Sequence, residues 1–121
     1  MRVLFHGTRA TMPSIVYQGE EGFNINYSAD GMWGRAIYFA VNSSYSNNYC
    51  FNAGGGIKQM FMASVLLGKY ETRQSDSSIR EPGLIPGTQI KYDSVKGNTN
   101  GSDVFMVYSN KKAYPSYLVS Y

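Results

Sequence analysis

The sequence predicts an α+β fold, with small mixed or antiparallel sheets and two or three short helices. Short apolar runs alternate with turn-forming residues, and no helical pattern extends beyond about two turns. The 121 residues include eleven Tyr and six Phe, which suit the pleated, half-buried face of a sheet. Because a chain of this length builds one core, we expect a single minimal domain over residues 1–121.

The first strand is predicted at Val3–Phe5, an apolar and β-prone run. It ends at His6–Thr8, a polar turn that the strand delivers to the surface. Glycines and turn formers punctuate the segment from Gly19 to Gly34, which predicts a long loop. Loops of that length inside a compact domain are usually functional, so the turn and the loop are the first candidates for a site.

Two short helices are predicted from their start and stop signals. Pro13 stands near the first helical position and Gly19 at the end of the first helix, with Ile15 and Val16 facing inward. Asn and Ser residues within Asn42–Tyr49 provide caps for the second helix.

A second buried strand is predicted at Ala36–Val41, directly before the second helix. Tyr45 and Tyr49 are four positions apart in that helix and therefore share one face. A flexible turn at residues 53–56 leads to Lys58–Leu67, the longest strand candidate and the predicted centre of the sheet.

The remaining chain is predicted to be mostly loop. Residues 71–103 are polar and rich in Gly, Pro and Ser, interrupted by the short run 89–92, and are predicted to be connecting loops with brief strands. Two final strands, Val104–Tyr108 and Tyr117–Tyr121, flank a turn that contains Tyr114-Pro115.

The net charge and the small numbers of Cys and His limit the ligands and reactions that we expect. The net charge of +3 favours anionic ligands such as phosphates, but it is too small to diagnose nucleic-acid binding. One Cys and one His exclude an intrachain disulfide and a structural zinc site, so we expect chemistry without a metal. Apolar runs stay far below the roughly 20 residues of a membrane span. We expect an intracellular monomer, cytoplasmic or nuclear, without membrane contact.

The order of the motifs is more informative than any one of them. A strand, His-Gly-Thr, a helix and a glycine-punctuated loop are followed by Gly-Arg-Ala-Ile-Tyr-Phe-Ala, Ser-x-Ser-x-x-Tyr, a long strand, and a last strand before Ala-Tyr-Pro-x-Tyr-Leu. From Leu4 to Tyr121, this succession resembles the ADP-ribosyltransferase core of the poly(ADP-ribose) polymerase family, particularly its tankyrase-like and mono-transferase branches. The resemblance implies the ADP-ribosyltransferase fold around an NAD cleft, with NAD⁺ as co-substrate and no metal.

The resemblance also implies roles for the residues of the first turn. His6 is expected to hold the ribose next to nicotinamide through a 2′-hydroxyl hydrogen bond. Gly7 is expected to bind the nicotinamide carboxamide through its backbone, which a side chain would obstruct. Thr8 takes the place of a small hydroxyl residue that contacts the adenosine ribose, and the loop Phe23–Met32 corresponds to the donor-site loop.

The Tyr-Phe-Ala motif and the second helix supply the other expected contacts. Tyr38 would pack on one side of nicotinamide and Tyr49 on its other face, while Ser46 would donate to the carboxamide oxygen. Phe39 and Ala40 complete the motif and belong to the same cofactor-binding set. Aromatic faces orient a cationic ring, and a neutral imidazole suits a ribose hydroxyl.

One position departs from the polymer-forming members of the family. They carry a Glu at the start of the strand before Ala-Tyr-Pro, where this chain has Val104. The predicted catalytic triad is therefore His6, Tyr38 and Val104, a pattern similar to that of the mono-ADP-ribosyltransferases. The adjacent Asp103 should not substitute for the Glu, because neighbouring strand residues point to opposite faces.

The resemblance therefore predicts a mono-ADP-ribosyltransferase that releases nicotinamide and modifies a protein acceptor, or RNA or DNA ends. Two alternatives remain open: an NAD⁺ glycohydrolase, in which water replaces the acceptor, and a pseudoenzyme that binds NAD⁺ or ADP-ribose without turnover. Tyr45 is interpreted as structural. For Trp33, lining of the acceptor entrance and plain core packing are equally compatible with the sequence.

Overall fold

The computed structural model describes residues 1–20, 22–28 and 30–121, with the Asp30 side chain outside the description. Its helices are α1 (Pro13–Gln18) and α2 (Ser43–Ser46), with 3-10 turns at Ile25–Tyr27 and Asn47–Tyr49. Its strands are β1 (Arg2–His6), β2 (Asp30–Gly31), β3 (Gly34–Arg35), β4 (Ile37–Ala40), β5 (Phe51–Gly54), β6 (Ile57–Val65), β7 (Tyr70–Thr72), β8 (Ser94–Thr99), β9 (Ser102–Val107) and β10 (Ala113–Ser120).

One mixed sheet of eight strands organises the described residues. The strand order is β10-β6-β1-β4-β9-β8-β7, and β5 forms a hairpin with β6. The β7–β8 pair is parallel, whereas every other pair in this sheet is antiparallel. The hairpin β2–β3 is a separate two-stranded sheet. The predicted α+β architecture is therefore confirmed.

The junction between β1 and β4 is the shortest in the eight-stranded sheet. It has one registered pair, Phe5 with Ala40, whereas β1 pairs with β6 over five positions and β4 pairs with β9 over four. Because the β1–β4 ladder does not continue past Phe5, the chain after β1 leaves the sheet at this junction. His6 ends β1 and is still registered with Phe61 of β6, so the turn that follows starts at Gly7, beside the short β1–β4 junction.

Two apolar clusters lie on opposite faces of the sheet, because successive strand residues alternate between faces. The first cluster is built mainly from β1, β4, β6 and β9 together with α1 and Phe23, and the second from β4, β8 and β9 together with Trp33. The buried members of the first are Leu4, Val16, Phe23, Ile37, Phe39, Phe61, Ala63, Val65, Leu67, Phe105 and Val107. Those of the second are Trp33, Ala36, Ala40, Ile79, Val95, Val104 and Met106.

Helix α1 begins and ends where the sequence predicts, at Pro13 and before Gly19. Val16 packs into the first cluster, but Ile15 is 45% exposed, so its predicted inward position is wrong. Adjacent helical residues lie about 100° apart. A six-residue helix that touches the sheet along a narrow stripe therefore buries only one of the two.

The predicted loop between Gly19 and Gly34 contains more regular structure than expected, namely the 3-10 turn Ile25–Tyr27 and the hairpin β2–β3. Part of this prediction falls on Glu21 and Ala29, which lie outside the described residues, as does part of the assignment of residues 23–32 to a donor-site loop.

The long strand β6 does not lie at the centre of the sheet, contrary to prediction. It is second from one edge, and β4 occupies the middle of the order. An apolar run reports burial but does not give the position of a strand in the order. The length of β6 is instead used to pair with three strands, β1, β10 and β5.

The predicted turn at Tyr114-Pro115 is also wrong, because both residues lie inside β10. This strand is at the edge of the sheet, where a proline without an N–H is tolerated. The register shifts between Pro115 and Tyr117, so the proline is accommodated at an irregularity of the edge strand.

The brief strands expected within residues 71–103 were not located, so the position of β8 was missed. The run at residues 89–92 contributes only a bridge between Leu84 and Lys91. The sequence of β8 is polar and contains a glycine. A Cβ at Gly97 would overlap the Trp33 ring, so the strand is buried by a side chain from a distant loop. Nothing in the local pattern of β8 contains that information.

Candidate active site

His6 is held in a defined protonation state at the end of β1. Its Nδ1 lies 2.6 Å from the Tyr38 carbonyl oxygen, which can only accept, so Nδ1 carries the proton and Nε2 is left as an acceptor. Burial lowers the pKa of His6, and the bond to Tyr38 offsets this only in part. The ring packs against Phe23 and Phe39, with centroids 5.0 and 5.3 Å away. The imidazole is therefore neutral at pH 7.

The packing of His6 corrects its expected position on a surface turn. The residue closes β1, and its ring is half-buried against the aromatic side chains of the first cluster. The hydrogen bond to the Tyr38 carbonyl joins β1 and β4 just beyond their single registered pair.

Gly7 brings the first turn against the end of α2. A Cβ at Gly7 would overlap the Tyr49 carbonyl and would lie 2.8 Å from the carbonyl oxygen of Ser46. The Arg9 N–H donates to the same Tyr49 carbonyl at 2.7 Å. Glycine is thus required here by the protein's own backbone, before any ligand is considered. The structure places Gly7 beside Ser46 and Tyr49, and their contact with nicotinamide stays a prediction.

The Thr8 hydroxyl has a structural partner within the turn. It donates to the Thr11 carbonyl at 2.7 Å, and the Thr11 N–H donates back to the Thr8 carbonyl at 3.1 Å. The oxygen of the hydroxyl can still accept a hydrogen bond. Its expected contact with a ribose stays a prediction.

Tyr38 joins β4 to the hairpin β2–β3 through its hydroxyl group. The hydroxyl accepts from the Trp33 N–H at 2.8 Å and donates to the Gly34 carbonyl at 2.7 Å. A Cβ at Gly31 would lie 2.7 Å from this hydroxyl oxygen, so the hairpin packs directly on the phenol. With the hydroxyl used in this way, Tyr38 would meet a ligand through its ring.

Ser46 and Tyr49 end the second helical segment. Ser46 is 3% exposed, and its hydroxyl makes no capping hydrogen bond to the 3-10 turn that follows it. The Tyr49 ring lies 5.5 Å from the Tyr45 ring, tilted by 47°, which confirms that the two share a face. Burial, followed by a hydrogen bond to Tyr49, raises the pKa of Tyr45. Tyr45 also packs against the second cluster, in agreement with a structural role.

Trp33 is a core residue, which decides between its two open roles. It is 1% exposed, its indole N–H donates to the Arg73 carbonyl at 3.0 Å, and its own carbonyl accepts from the Tyr108 hydroxyl at 2.6 Å. Sequence reasoning missed Tyr108, which is 75 positions from Trp33. Burial raises its pKa, so the hydroxyl remains a donor.

Val104 is completely buried, at 0% exposure. It pairs with Ala40 in the β4–β9 ladder and lies in the second cluster, against which Tyr38 packs. Phe39 belongs to the first cluster and contacts the His6 ring. Phe39, Ala40 and Val104 therefore shape the surroundings of the predicted site without exposed surface of their own.

Asp103 is directed elsewhere, as the alternation of strand residues predicts. Its carboxylate accepts from the Asn98 side chain at 2.9 Å and lies 3.6 Å from the Lys96 ammonium. The hydrogen bond from Asn98 is the main reason that the pKa of Asp103 is lowered. The carboxylate is thus paired at the surface, while the neighbouring Val104 is in the core.

Arg9 was not anticipated from the sequence. It is exposed, and its guanidinium carbon lies 4.6 Å from the centroid of the Tyr49 ring. Its position directly after His-Gly-Thr was the only available signal, because the fold alone brings this turn onto the end of α2.

Two cavities of the described chain lie away from these residues. One, of about 300 Å³, lies between the end of α1 and the start of β10. The other, of about 470 Å³, is lined by Phe5, Met60, Met62 and the outward side of α2. Neither is lined by His6, Tyr38, Ser46 or Tyr49.

Comparison with known proteins decides the family. Residues 1–100 match the family model of the poly(ADP-ribose) polymerase catalytic domain. This chain belongs to that family. The resemblance and the ADP-ribosyltransferase fold that it implies are thereby confirmed, since the observed mixed sheet with few short helices agrees with that fold.

Among the relatives of this chain, one is named a poly [ADP-ribose] polymerase and others are named mono-ADP-ribosyltransferases. A probable poly [ADP-ribose] polymerase of Dictyostelium discoideum is 43% identical over 98% of this chain and 33% of its own length. Human protein mono-ADP-ribosyltransferase PARP14 is 33% identical over 98% of this chain, which corresponds to 7% of the length of PARP14. Mouse PARP12, also named a mono-ADP-ribosyltransferase, is 30% identical over 99% of this chain, which corresponds to 17% of the length of PARP12. The chain thus spans about a third or less of these curated relatives.

Two further observations concern metals and membranes. Within residues 1–20, 22–28 and 30–121, no group of three or more His, Cys, Asp or Glu side chains could hold a metal ion. No helix of this described part is long and apolar enough to cross a membrane. Independence from metal stays a prediction.

Proposed function

We propose that this chain is the catalytic domain of a mono-ADP-ribosyltransferase, which cleaves NAD⁺ and transfers one ADP-ribose to an acceptor. The observation that carries the proposal is the hydrogen bond from His6 Nδ1 to the Tyr38 carbonyl, in a chain of the poly(ADP-ribose) polymerase family. This bond leaves a neutral imidazole with Nε2 as an acceptor, which suits a ribose hydroxyl.

The surroundings of Gly7 fit the carboxamide of nicotinamide. The Ser46 hydroxyl does not cap the 3-10 turn that follows it, and the Ser46 backbone carbonyl lies against Gly7. A serine hydroxyl can donate a hydrogen bond, so this group suits the carboxamide oxygen of nicotinamide. The Tyr38 and Tyr49 rings would then orient the nicotinamide ring from its two sides.

In the reaction, the bond between ribose C1′ and the nicotinamide nitrogen breaks, and its electron pair leaves with nicotinamide, which becomes neutral. Positive charge develops on the ribose, and a lone pair of the acceptor oxygen forms the new bond to C1′. The residues of this chain contribute by orientation: His6 through the ribose, and the two tyrosines through the leaving group. A carboxylate or terminal phosphate acceptor has no proton to lose at this step.

Transfer of a single unit follows from Val104. Elongation uses a neutral hydroxyl of ADP-ribose as the acceptor, which is a poor nucleophile unless a base removes its proton. The aliphatic Val104 cannot do this, and the Asp103 carboxylate is paired with Asn98 and Lys96. We therefore propose one ADP-ribose per acceptor site.

The acceptor is proposed to be a protein side chain, with RNA or DNA ends as further acceptors of the same chemistry. The net charge of +3 favours acceptors that carry carboxylates or phosphates. Mass spectrometry of protein and RNA products after incubation with NAD⁺ would distinguish these acceptors.

The proposal is tested by incubating the protein with labelled NAD⁺, with and without benzamide, a neutral mimic of nicotinamide. The expected product is one shifted band per acceptor, removed by a hydrolase specific for terminal ADP-ribose and suppressed by benzamide. A ladder of long chains would contradict single transfer. Loss of NAD⁺ without a labelled acceptor would indicate a glycohydrolase, and tight binding without nicotinamide release would indicate a pseudoenzyme.

A further inference from the structure

Arg9 is tied to Tyr49 by two contacts of different kinds. Its backbone N–H donates to the Tyr49 carbonyl at 2.7 Å, and its guanidinium carbon stands 4.6 Å from the centre of the Tyr49 ring. The first contact fixes the backbone at the end of the 3-10 turn, and the second covers one face of the ring with a cation.

The backbone of Arg9 is strained in support of this arrangement. Its φ is +55°, a left-handed conformation that is strained for a residue with a Cβ. Glycine would occupy this position without strain. An arginine here, in a turn where Gly7 already allows close approach to Tyr49, indicates that the side chain has a use.

We propose that Arg9 is a positioning residue that holds Tyr49 from its outer face and disfavours a cationic ring on the opposite face. This inference rests on the proposed function, in which Tyr49 stacks on nicotinamide. The ring of NAD⁺ is a cation, whereas released nicotinamide is neutral. A guanidinium behind Tyr49 withdraws electron density from the stacking face and repels a second positive charge across the ring.

The consequence concerns the leaving group. Because the electron pair of the broken bond neutralises the nicotinamide ring, the repulsion from Arg9 acts on the bound substrate and is relieved as the bond breaks. Arg9 would therefore weaken the binding of a positively charged pyridinium and strengthen, through orientation, the binding of a neutral nicotinamide. A purely structural arginine would not distinguish the two charges.

The structure provides a matched control in Arg2. Its guanidinium carbon lies 5.1 Å from the Phe105 ring centre, so it is a second arginine placed over an aromatic side chain. It lies at the opposite end of β1 from His6. Arg2→Met removes the same kind of contact at a place that the proposed site does not use.

The test measures the dissociation constants of neutral nicotinamide, cationic N-methylnicotinamide and NAD⁺ for the unmodified protein and for Arg9→Met, Arg9→Gly, Arg9→Lys and Arg2→Met. The unfolding midpoint of each variant is measured alongside. Arg9→Gly removes the guanidinium and relieves the strained φ, so it reports on the side chain even if Arg9→Met is poorly folded.

Nicotinamide affinity should fall about two- to five-fold in Arg9→Met and Arg9→Gly, the change that corresponds to a surface cation–π contact of about 0.5–1 kcal/mol. The affinity for the cation should rise, because the repulsion from the guanidinium is removed, so that the ratio of the two constants shifts toward the cation. Arg9→Lys, which keeps the charge, should keep the ratio, and Arg2→Met should leave both constants unchanged.

An unchanged nicotinamide affinity or an unchanged ratio in both Arg9→Met and Arg9→Gly would overturn the inference. Weakened NAD⁺ binding with unaltered nicotinamide binding would also overturn it, because Arg9 would then act on the phosphates. If the unmodified protein binds none of the three ligands, the proposed function fails and the inference fails with it. If the unmodified protein binds these ligands and the Arg9 variants bind them equally well, the inference about Arg9 fails while the proposed function stands.

Discussion

The two tyrosines of the proposed nicotinamide site are held in different ways. Tyr38 lies in a central strand, and its hydroxyl is fixed by hydrogen bonds of 2.8 and 2.7 Å to Trp33 and Gly34. Tyr49 ends a short 3-10 turn and is held through its backbone carbonyl and its ring face by Arg9. We call these two sides of the site the Tyr38 wall and the Tyr49 wall. The Tyr38 wall is part of the sheet core, whereas the Tyr49 wall is attached to that core by the contacts of Arg9.

This difference indicates where the site is rigid and where it can vary. The Tyr38 wall depends on buried packing, so changes there should be felt first as lost stability. The Tyr49 wall depends on a half-exposed turn, so changes there should be felt first in ligand binding. Variants on the two sides can therefore separate the folding of the domain from its chemistry.

The largest expected effect is on the Tyr38 side. Trp33→Ala should lower the free energy of unfolding by about 3–5 kcal/mol, because it leaves a large cavity in the second cluster and removes the indole bond to the Arg73 carbonyl. Urea unfolding followed by circular dichroism would measure this. Tyr114→Ala, at a residue 69% exposed, is the control and should change stability by less than about 0.5 kcal/mol. A loss below 1 kcal/mol for Trp33→Ala would contradict the packing described for this wall.

The second effect is on turnover and concerns the residue between the two walls. In His6→Asn, the amide nitrogen can replace Nδ1 as donor to the Tyr38 carbonyl, but nothing replaces Nε2. We expect NAD⁺ consumption to fall about 10- to 1000-fold, or about 1.4–4 kcal/mol of transition-state stabilisation, with the fold retained. A folded and fully active His6→Asn protein would remove Nε2 from the mechanism.

A matched pair of substitutions compares the two walls directly. Tyr38→Phe removes the partner of the Trp33 N–H and the Gly34 carbonyl and should cost about 1–3 kcal/mol of stability. Tyr49→Phe keeps the carbonyl that Arg9 binds and should cost less than about 1 kcal/mol. Thermal unfolding of both variants measures these losses of stability. Equal losses in Tyr38→Phe and Tyr49→Phe would mean that the two walls are held in the same way.

The smallest effect is a dependence of stability on pH through His6. Burial lowers the pKa of His6 below its ordinary value of 6.5, so in the window between the two values the unfolded state binds a proton that the folded state does not. Stability should therefore fall as the pH drops below 6.5, by at most about 1.4 kcal/mol per pH unit. The chain has one His, so this slope should be absent in His6→Asn. A slope that persists in the variant would assign it to another group.

The sequence predicted the parts of the fold whose signals are local. Val3–Phe5, Pro13 and Gly19 mark elements by short apolar runs and by helix start and stop residues, and the structure has β1 and α1 at those places. It failed where distant residues decide. Strand β8 is buried by Trp33 packing over Gly97, and β10 contains Pro115 because it is an edge strand.

The same limit applies to the candidate site. The order of the motifs was enough to assign Gly7, Ser46 and Tyr49 to one predicted site. Arg9 could not be found from the sequence, because its guanidinium contacts the Tyr49 ring only when the first turn packs against the end of α2. Nor could burial of Val104 be read from one residue, since it needs the second cluster around it. A Glu placed there would enter an apolar core, so Val104→Glu would test stability more than polymer formation.

The most direct test of the account is the location of bound benzamide, by a crystal structure or by nuclear Overhauser contacts to the labelled protein. The account predicts the ring between Tyr38 and Tyr49, with its carboxamide at the Gly7 backbone and the Ser46 hydroxyl. Benzamide in either of the two cavities beside α1 and α2, with no contact to Tyr49, would contradict it.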